Sequence, residues 1–257
     1  MRARTATEQK PVLRVEAPHA AHTASIHTTN RWAAIWDDIW SQRGVVAALI
    51  ALARAFLHAL HRRVLLRHVT PGTVLLELGC GPATLSLSLA PHCAEVTGLD
   101  ISEEALRQAR ARQARWGISN AQFLRGDCRA VPFIDRFDVV WSAGLLEHFF
   151  DRDIDVVREH LKAAKPGGVA ILSVPAKYSL HHLHYLITRP RFLRWLWPWS
   201  DERHFQKFYS RSELKALGQK TGCPSRVFYH PPFLVGMLLG ILVLQVTKTP
   251  ATTTEHV

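Results

Sequence analysis

The chain has 257 residues, 47% of them hydrophobic and 21% charged, with a formal net charge of +11. That composition can bury the core of one large domain and excludes wholesale disorder. Four cysteines in a chain of this length exclude a disulfide framework, and none are paired at metal-ligand spacing, which fits a reducing, cytoplasmic setting.

The basic excess is unevenly placed. Residues 41–70 hold five basic and no acidic side chains, and residues 177–257 hold eleven basic and four acidic. Between them, residues 71–176 are near neutral, with eleven basic and thirteen acidic. An anionic partner or a membrane surface would therefore meet the flanks and not the centre. Residues 1–30 contain no apolar signal-peptide core and are expected to be a tail, as are residues 249–257. A membrane span needs roughly 18–20 apolar residues. The longest apolar run, Phe233 to Leu244, has 12, and Val45–Leu60 is interrupted by Arg54 and His58.

In chain order, Trp32, Trp36 and Trp40 recur at i, i+4 and i+8, as on one face of a helix. Val45–His68 reads as a longer helix, stopped by Thr70-Pro71-Gly72. Residues 31–70 are thus expected to form an N-terminal helical cap. The texture then alternates: strand Thr73–Leu78, glycine turn, helix to about Ala90, strand Glu95–Leu99, and a helix capped by Ser102 that runs to about Trp116. Strands follow at Ala121–Leu124 and Phe137–Ser142, then a helix over about Ile154–Ala164 and a strand at Val169–Val174. Such alternation predicts an α/β fold, a parallel sheet with helices on both faces. Ligands of these sheets sit beyond the carboxyl ends of the strands, so the residues just after each strand carry the chemistry.

The first strand ends Glu77-Leu78-Gly79-Cys80-Gly81-Pro82-Ala83-Thr84. A dinucleotide fingerprint would require glycine at Thr84, and Glu77 would repel pyrophosphate while suiting a cationic ligand. Asp100 ends the second strand, where a carboxylate can accept both hydroxyls of a ribose. Asp127 ends the third, where it can accept from a purine amine. Each also has a plain structural reading: a helix-entry turn, a helix N-terminal acid and a turn aspartate.

In order and at this spacing, these segments resemble the class I S-adenosylmethionine-dependent methyltransferases, small-molecule "type 11" branch. The resemblance rests on Glu77-Leu-Gly-Cys-Gly81, Leu99-Asp100, Gly126-Asp127, Phe137–His148 and Lys165-Pro-Gly-Gly168. Phe208-Tyr209-Ser210, Gly222 and Leu242–Lys248 match more loosely. It implies a Rossmann-like sheet over residues 71–248, mostly parallel with its last strand antiparallel, and S-adenosylmethionine as cofactor. It further implies that Glu77 and Gly79, Cys80 and Gly81 hold the methionine end, with the backbone around Ser142 beside them. Asp100 would take the ribose, Ile101 the adenine face, and Asp127 with Cys128 the adenine edge. Ala83 stands where many members have a third glycine.

Methyl transfer from a sulfonium is an in-line displacement that needs alignment and exclusion of water, and a base only if the nucleophile must lose a proton. His148, after the fourth strand, and His204 are the candidates for that role. Related quinone O-methyltransferases carry a metal-associated Glu-x-x-Glu-His segment; here Gly144 replaces its first Glu, and no metal is expected. Residues 176–206 form a long insertion, the kind of loop that serves as a lid or binding segment. Its Tyr185 and Trp195, with Trp36 and Trp40, are expected to cover a small apolar or anionic acceptor, aromatic or lipid-like. Two alternatives stay open: an RNA methyltransferase using the basic flanks, and a non-catalytic cofactor- or membrane-binding protein of the same fold. Against nucleic acid, no Asn/Asp-Pro-Pro-Tyr/Phe run or Pro-Cys pair follows the fourth strand. A peripheral membrane contact through Arg54–His68 or Phe233–Leu244 competes with burial of the latter as a short helix and terminal strand.

Overall fold

The computed structural model describes residues 23–188, 206–231 and 234–250. Two helices, α1 (Thr23–Ser41) and α2 (Val45–Leu65), precede the sheet. Helix α1 begins inside the stretch expected to be tail. Then follow β1 (Val74–Leu78), α3 (Thr84–Leu89), β2 (Glu95–Asp100), α4 (Glu103–Trp116), β3 (Ala121–Arg125) and β4 (Phe137–Ala143). After two 3-10 turns come α5 (Asp153–Ala163), β5 (Ala164–Pro175), α6 (Leu180–Thr188), α7 (Arg211–Gln219), β6 (Ser225–Tyr229), α8 (Leu234–Leu239) and β7 (Ile241–Thr247).

The seven strands lie in the order β3-β2-β1-β4-β5-β7-β6. Strands β1 to β5 pair in parallel, and β7 runs antiparallel to both β5 and β6. The order reverses between β1 and β4, which opens the crevice where such sheets bind ligands. Strand β6 has no counterpart among the sequence expectations: it is a short edge strand whose Ser225 and Arg226 are exposed, which leaves only Val227–Tyr229 as an apolar run.

Side-chain alternation divides the core between the two faces. Leu75, Trp141, Ile171 and Val243 face α2 and α3, where Leu60, Val64, Leu65 and Leu85 meet them. Ala170, Leu172, Leu242 and Leu244 face α5 and α7, against Val156, Val157, Leu214 and Leu217. Burying each of the large aliphatic side chains stabilises the fold by about 1.5–3 kcal/mol. Helix α4 begins at Ser102, whose hydroxyl accepts from the Ala105 N–H at 3.1 Å, and it ends at Gly117.

The insertion leaves β5 at Ala176 and its first turn becomes α6. The chain is back at the same strand end by Tyr209, which bridges Ala176 and donates its N–H to the Pro175 carbonyl at 3.0 Å. Trp195 and His204 lie outside the described residues. The apolar run 233–244 divides between α8, with Val235, Met237 and Leu238 exposed, and the buried start of β7. Among the described residues, no helix is long and apolar enough to cross a membrane.

Candidate active site

The carboxyl ends of β1, β2, β4 and β5 bring most of the expected residues to one rim. Gly79 and Gly81 both have positive φ, 66° and 51°. A Cβ on Gly79 would stand 2.8 Å from Leu145 Cδ1, and one on Gly81 2.8 Å from Trp40 Cζ2, so both positions require the missing side chain. Ala83 is also left-handed, at φ 51°, which explains the advantage of a third glycine there.

Two carboxylates bracket this loop. Asp100 accepts from the Gly81 N–H through Oδ2 at 2.7 Å and from the Ser102 N–H through Oδ1 at 2.9 Å. Burial raises its pKa even against these donors. Glu77 accepts from Trp141 Nε1 at 3.0 Å and from the Ser86 hydroxyl, and burial lifts it to about 7. Two buried acids beside a glycine turn suit a ligand carrying positive charge and hydroxyls, and oppose a pyrophosphate.

The remaining expected residues divide. Asp127 forms a bidentate pair with Arg129, whose Nη2 lies 2.5 Å from Oδ2. Ile101 is half-buried next to Asp100; the thiols of Cys80 and Cys128 are buried, which raises their pKa values. The Ser142 hydroxyl turns to the face covered by α5, 2.9 Å from His160 Nε2. His148 meets Trp36 edge-on with ring centroids 5.1 Å apart. Tyr185 packs on Phe208, centroids 5.0 Å apart, beside His181 and His182. No three His, Cys, Asp or Glu side chains converge as a metal site among the described residues.

Helix α1 roofs the loop. Trp40 lies on Gly81, Arg54 of α2 stacks over the Trp40 ring at 4.4 Å, and Gln108 of α4 donates to the Trp40 carbonyl at 2.8 Å. Asp37 fastens the helix: its Oδ1 accepts from the Ser102 hydroxyl at 2.6 Å and the Glu104 N–H at 3.1 Å. Sequence reading missed Asp37 because its partners are 65 and 67 positions away. Outside α1, a surface depression of about 480 Å³ is lined by Asp37, Asp38, Ser41, Glu103, Glu104 and Arg107.

Glu147, between Leu146 and His148, was also missed. It is buried, held at about 8 by that burial, and its Oε2 has no hydrogen-bond partner among the described residues.

Residues 75–168 match the family described as "Methyltransferase domain". Over these residues the chain is similar to methyltransferase domains. The chain is 33% identical over 142 residues to the malonyl-[acyl-carrier protein] O-methyltransferase of Enterobacter lignolyticus SCF1, an alignment covering 54% of this chain and 50% of that protein. It is 32% identical over 152 residues to the ubiquinone biosynthesis O-methyltransferase of Pseudomonas aeruginosa LESB58, covering 59% of this chain and 64% of that one. The chain therefore spans between half and two-thirds of these relatives' lengths. Among solved structures, it resembles the magnesium protoporphyrin IX methyltransferase of Synechocystis PCC 6803 with bound SAH. The TM-score is 0.62 at 20% identity, over 87% of this chain and 95% of that one, a likeness of fold.

Proposed function

We propose that this chain transfers the methyl group of S-adenosylmethionine to a small, largely apolar acceptor, aromatic or lipid-like. The observation that carries the reading is the bracketing of the left-handed glycine loop by two buried carboxylates, Glu77 and Asp100. In this assignment Glu77 and the Gly79–Gly81 backbone hold the aminoacid end, and the backbone around Ser142 lies beside it. Asp100 accepts the ribose hydroxyls, Ile101 packs on the adenine, and Asp127 with Cys128 addresses its edge. Bound there, the cofactor supplies an electrophilic sulfonium methyl. The protein's task is then to align the acceptor and exclude water.

Trp36 and Trp40 supply an apolar roof from α1, and Tyr185 extends the aromatic lining from the insertion. The named relatives are O-methyltransferases, which favours oxygen as the acceptor atom. Exposed Leu52, Phe56, Val235, Met237 and Leu238 agree with a lipid-like acceptor met at a membrane surface.

The test is calorimetric titration with S-adenosylmethionine and S-adenosylhomocysteine, beside Asp100→Ala. Micromolar binding that the variant loses supports the assignment, and acceptor screening then begins with lipophilic phenols and quinols. No binding of either ligand overturns it. Salt-sensitive RNA binding with RNA methylation would replace the small-molecule reading by the RNA one. Tight cofactor binding without turnover on any acceptor class would favour a binding protein.

A further inference from the structure

Helix α2 carries two histidines that the cofactor site does not use. His58 and His61 lie one turn apart, and each has its Nδ1 buried without a hydrogen-bond partner among the described residues. The Nε2 of His61 is 2.8 Å from Ser173 Oγ. A buried polar atom left unpaired is costly and calls for an explanation, often a missing ligand.

The position of these rings supplies one. Ser173 pairs with Ala143, the last residue of β4, and the Gly144 N–H donates to the Ser173 carbonyl at 3.2 Å. His61 therefore stands at the carboxyl ends of β4 and β5. The Leu60 carbonyl lies 2.8 Å from His230 Nε2, and the His230 N–H donates to Ile241, which is paired with Pro175 at that same strand end. Helix α2 runs from there outward toward its N-terminus, with His58 about 5 Å beyond His61. One turn further, Arg54 stacks on Trp40 above Gly81.

His61 thus lies at the strand ends, on the helix whose Arg54 stacks on Trp40 above the glycine loop. Contact also links it to that loop: the His61 and Trp141 rings are 5.1 Å apart, and Trp141 Nε1 donates to Glu77.

We infer that His61, with His58 behind it, forms the polar end of the acceptor pocket and takes a hydrogen bond from a phenolic hydroxyl. This assignment rests on the methyl-transfer reading and adds the acceptor class to it. In this assignment the acceptor's hydroxyl satisfies Nδ1. Burial holds His58 at about 4 and His61 at about 3, so both rings are neutral at pH 7. Neutral rings accept a hydrogen bond without repelling a neighbouring sulfonium.

The experiment uses the full chain saturated with S-adenosylhomocysteine and 4-nitrophenol as probe, with affinity read by calorimetry and imidazole nitrogens by NMR. The His61 Nδ1 resonance is expected to move as the probe saturates. His61→Leu should weaken the probe about tenfold with S-adenosylhomocysteine affinity unchanged, and His61→Gln should recover much of the loss. Equal probe affinity in His61→Leu, a stationary Nδ1 resonance, or no probe binding to the wild type overturns the assignment. Should His61→Leu fail to fold, Ser173→Ala is expected to weaken the probe, and unchanged affinity there overturns it equally. Failure of S-adenosylhomocysteine itself to bind would bring down the cofactor reading first, and this site with it.

Discussion

Asp37 holds the roof of the glycine loop by two hydrogen bonds, and removing them should loosen it. In Asp37→Ala the Ser102 hydroxyl loses an acceptor at 2.6 Å and the Glu104 N–H one at 3.1 Å. A hydrogen bond to a charged group contributes about 1.5–3 kcal/mol. Asp37 is half-buried, and the Ser102 hydroxyl keeps its bond to the Ala105 N–H, so the net loss is about 2 kcal/mol. That corresponds to roughly a thirtyfold shift toward states in which α1 has lifted. If ligand leaves through such states, release of S-adenosylhomocysteine should accelerate by about that factor. Stopped-flow tryptophan fluorescence reads the rate, since Trp40 lies against Gly81. A release rate within about twofold of the wild type, in a variant whose melting temperature has fallen, would refute the gating role and leave Asp37 as a plain helix anchor.

Three further outcomes follow from the site. Between its unfolded value of 4.5 and about 7, folded Glu77 holds a proton that the unfolded chain releases, so stability falls as pH rises through that window. Ligand-free Glu77→Gln should therefore match the wild type near pH 5 and exceed it by about 2 kcal/mol at pH 8, by chemical denaturation, while binding S-adenosylmethionine about tenfold more weakly. Ser142→Ala should cost about 1–3 kcal/mol, because buried His160 loses its Nε2 partner, yet leave S-adenosylhomocysteine affinity unchanged in calorimetry. A large affinity loss would show that the hydroxyl itself serves the site. Ala83→Val should destabilise by about 2–3 kcal/mol, since a β-branched residue is forced into a left-handed, fully buried position; an unchanged melting temperature would contradict the backbone assignment.

Legibility in the sequence followed the range of the interactions. The strand ends at Glu77, Asp100 and Asp127, the glycine turn and the Ser102 cap are local, and each was read within a few residues of its structural position. Strand β6 escaped because its apolar part is only the three residues Val227–Tyr229, following exposed Ser225 and Arg226. Asp37 escaped for a different reason: its role exists only where α1 crosses the N-terminus of α4. For Ser142 only the backbone was expected at the crevice, and strand alternation sends its hydroxyl to His160 on the far face.

His61 belongs with Asp37. Nothing in Leu57-His58-Ala59-Leu60-His61 distinguishes these rings from core histidines, and their number in the chain, 15, hides them further. They gain meaning from the face on which they fall. Strand alternation puts Glu77, Trp141 and Ser173 on the same side of β1, β4 and β5, and α2 covers that side. A polar line through His61, Trp141 and Glu77 is therefore a consequence of pleat and pairing order, and it crosses the β1–β4 switch point where the ligand crevice opens. His61 and Trp141 each make a hydrogen bond along this line, to Ser173 and to Glu77, and the His61 Nδ1 left over is what a purely structural role of α2 does not account for.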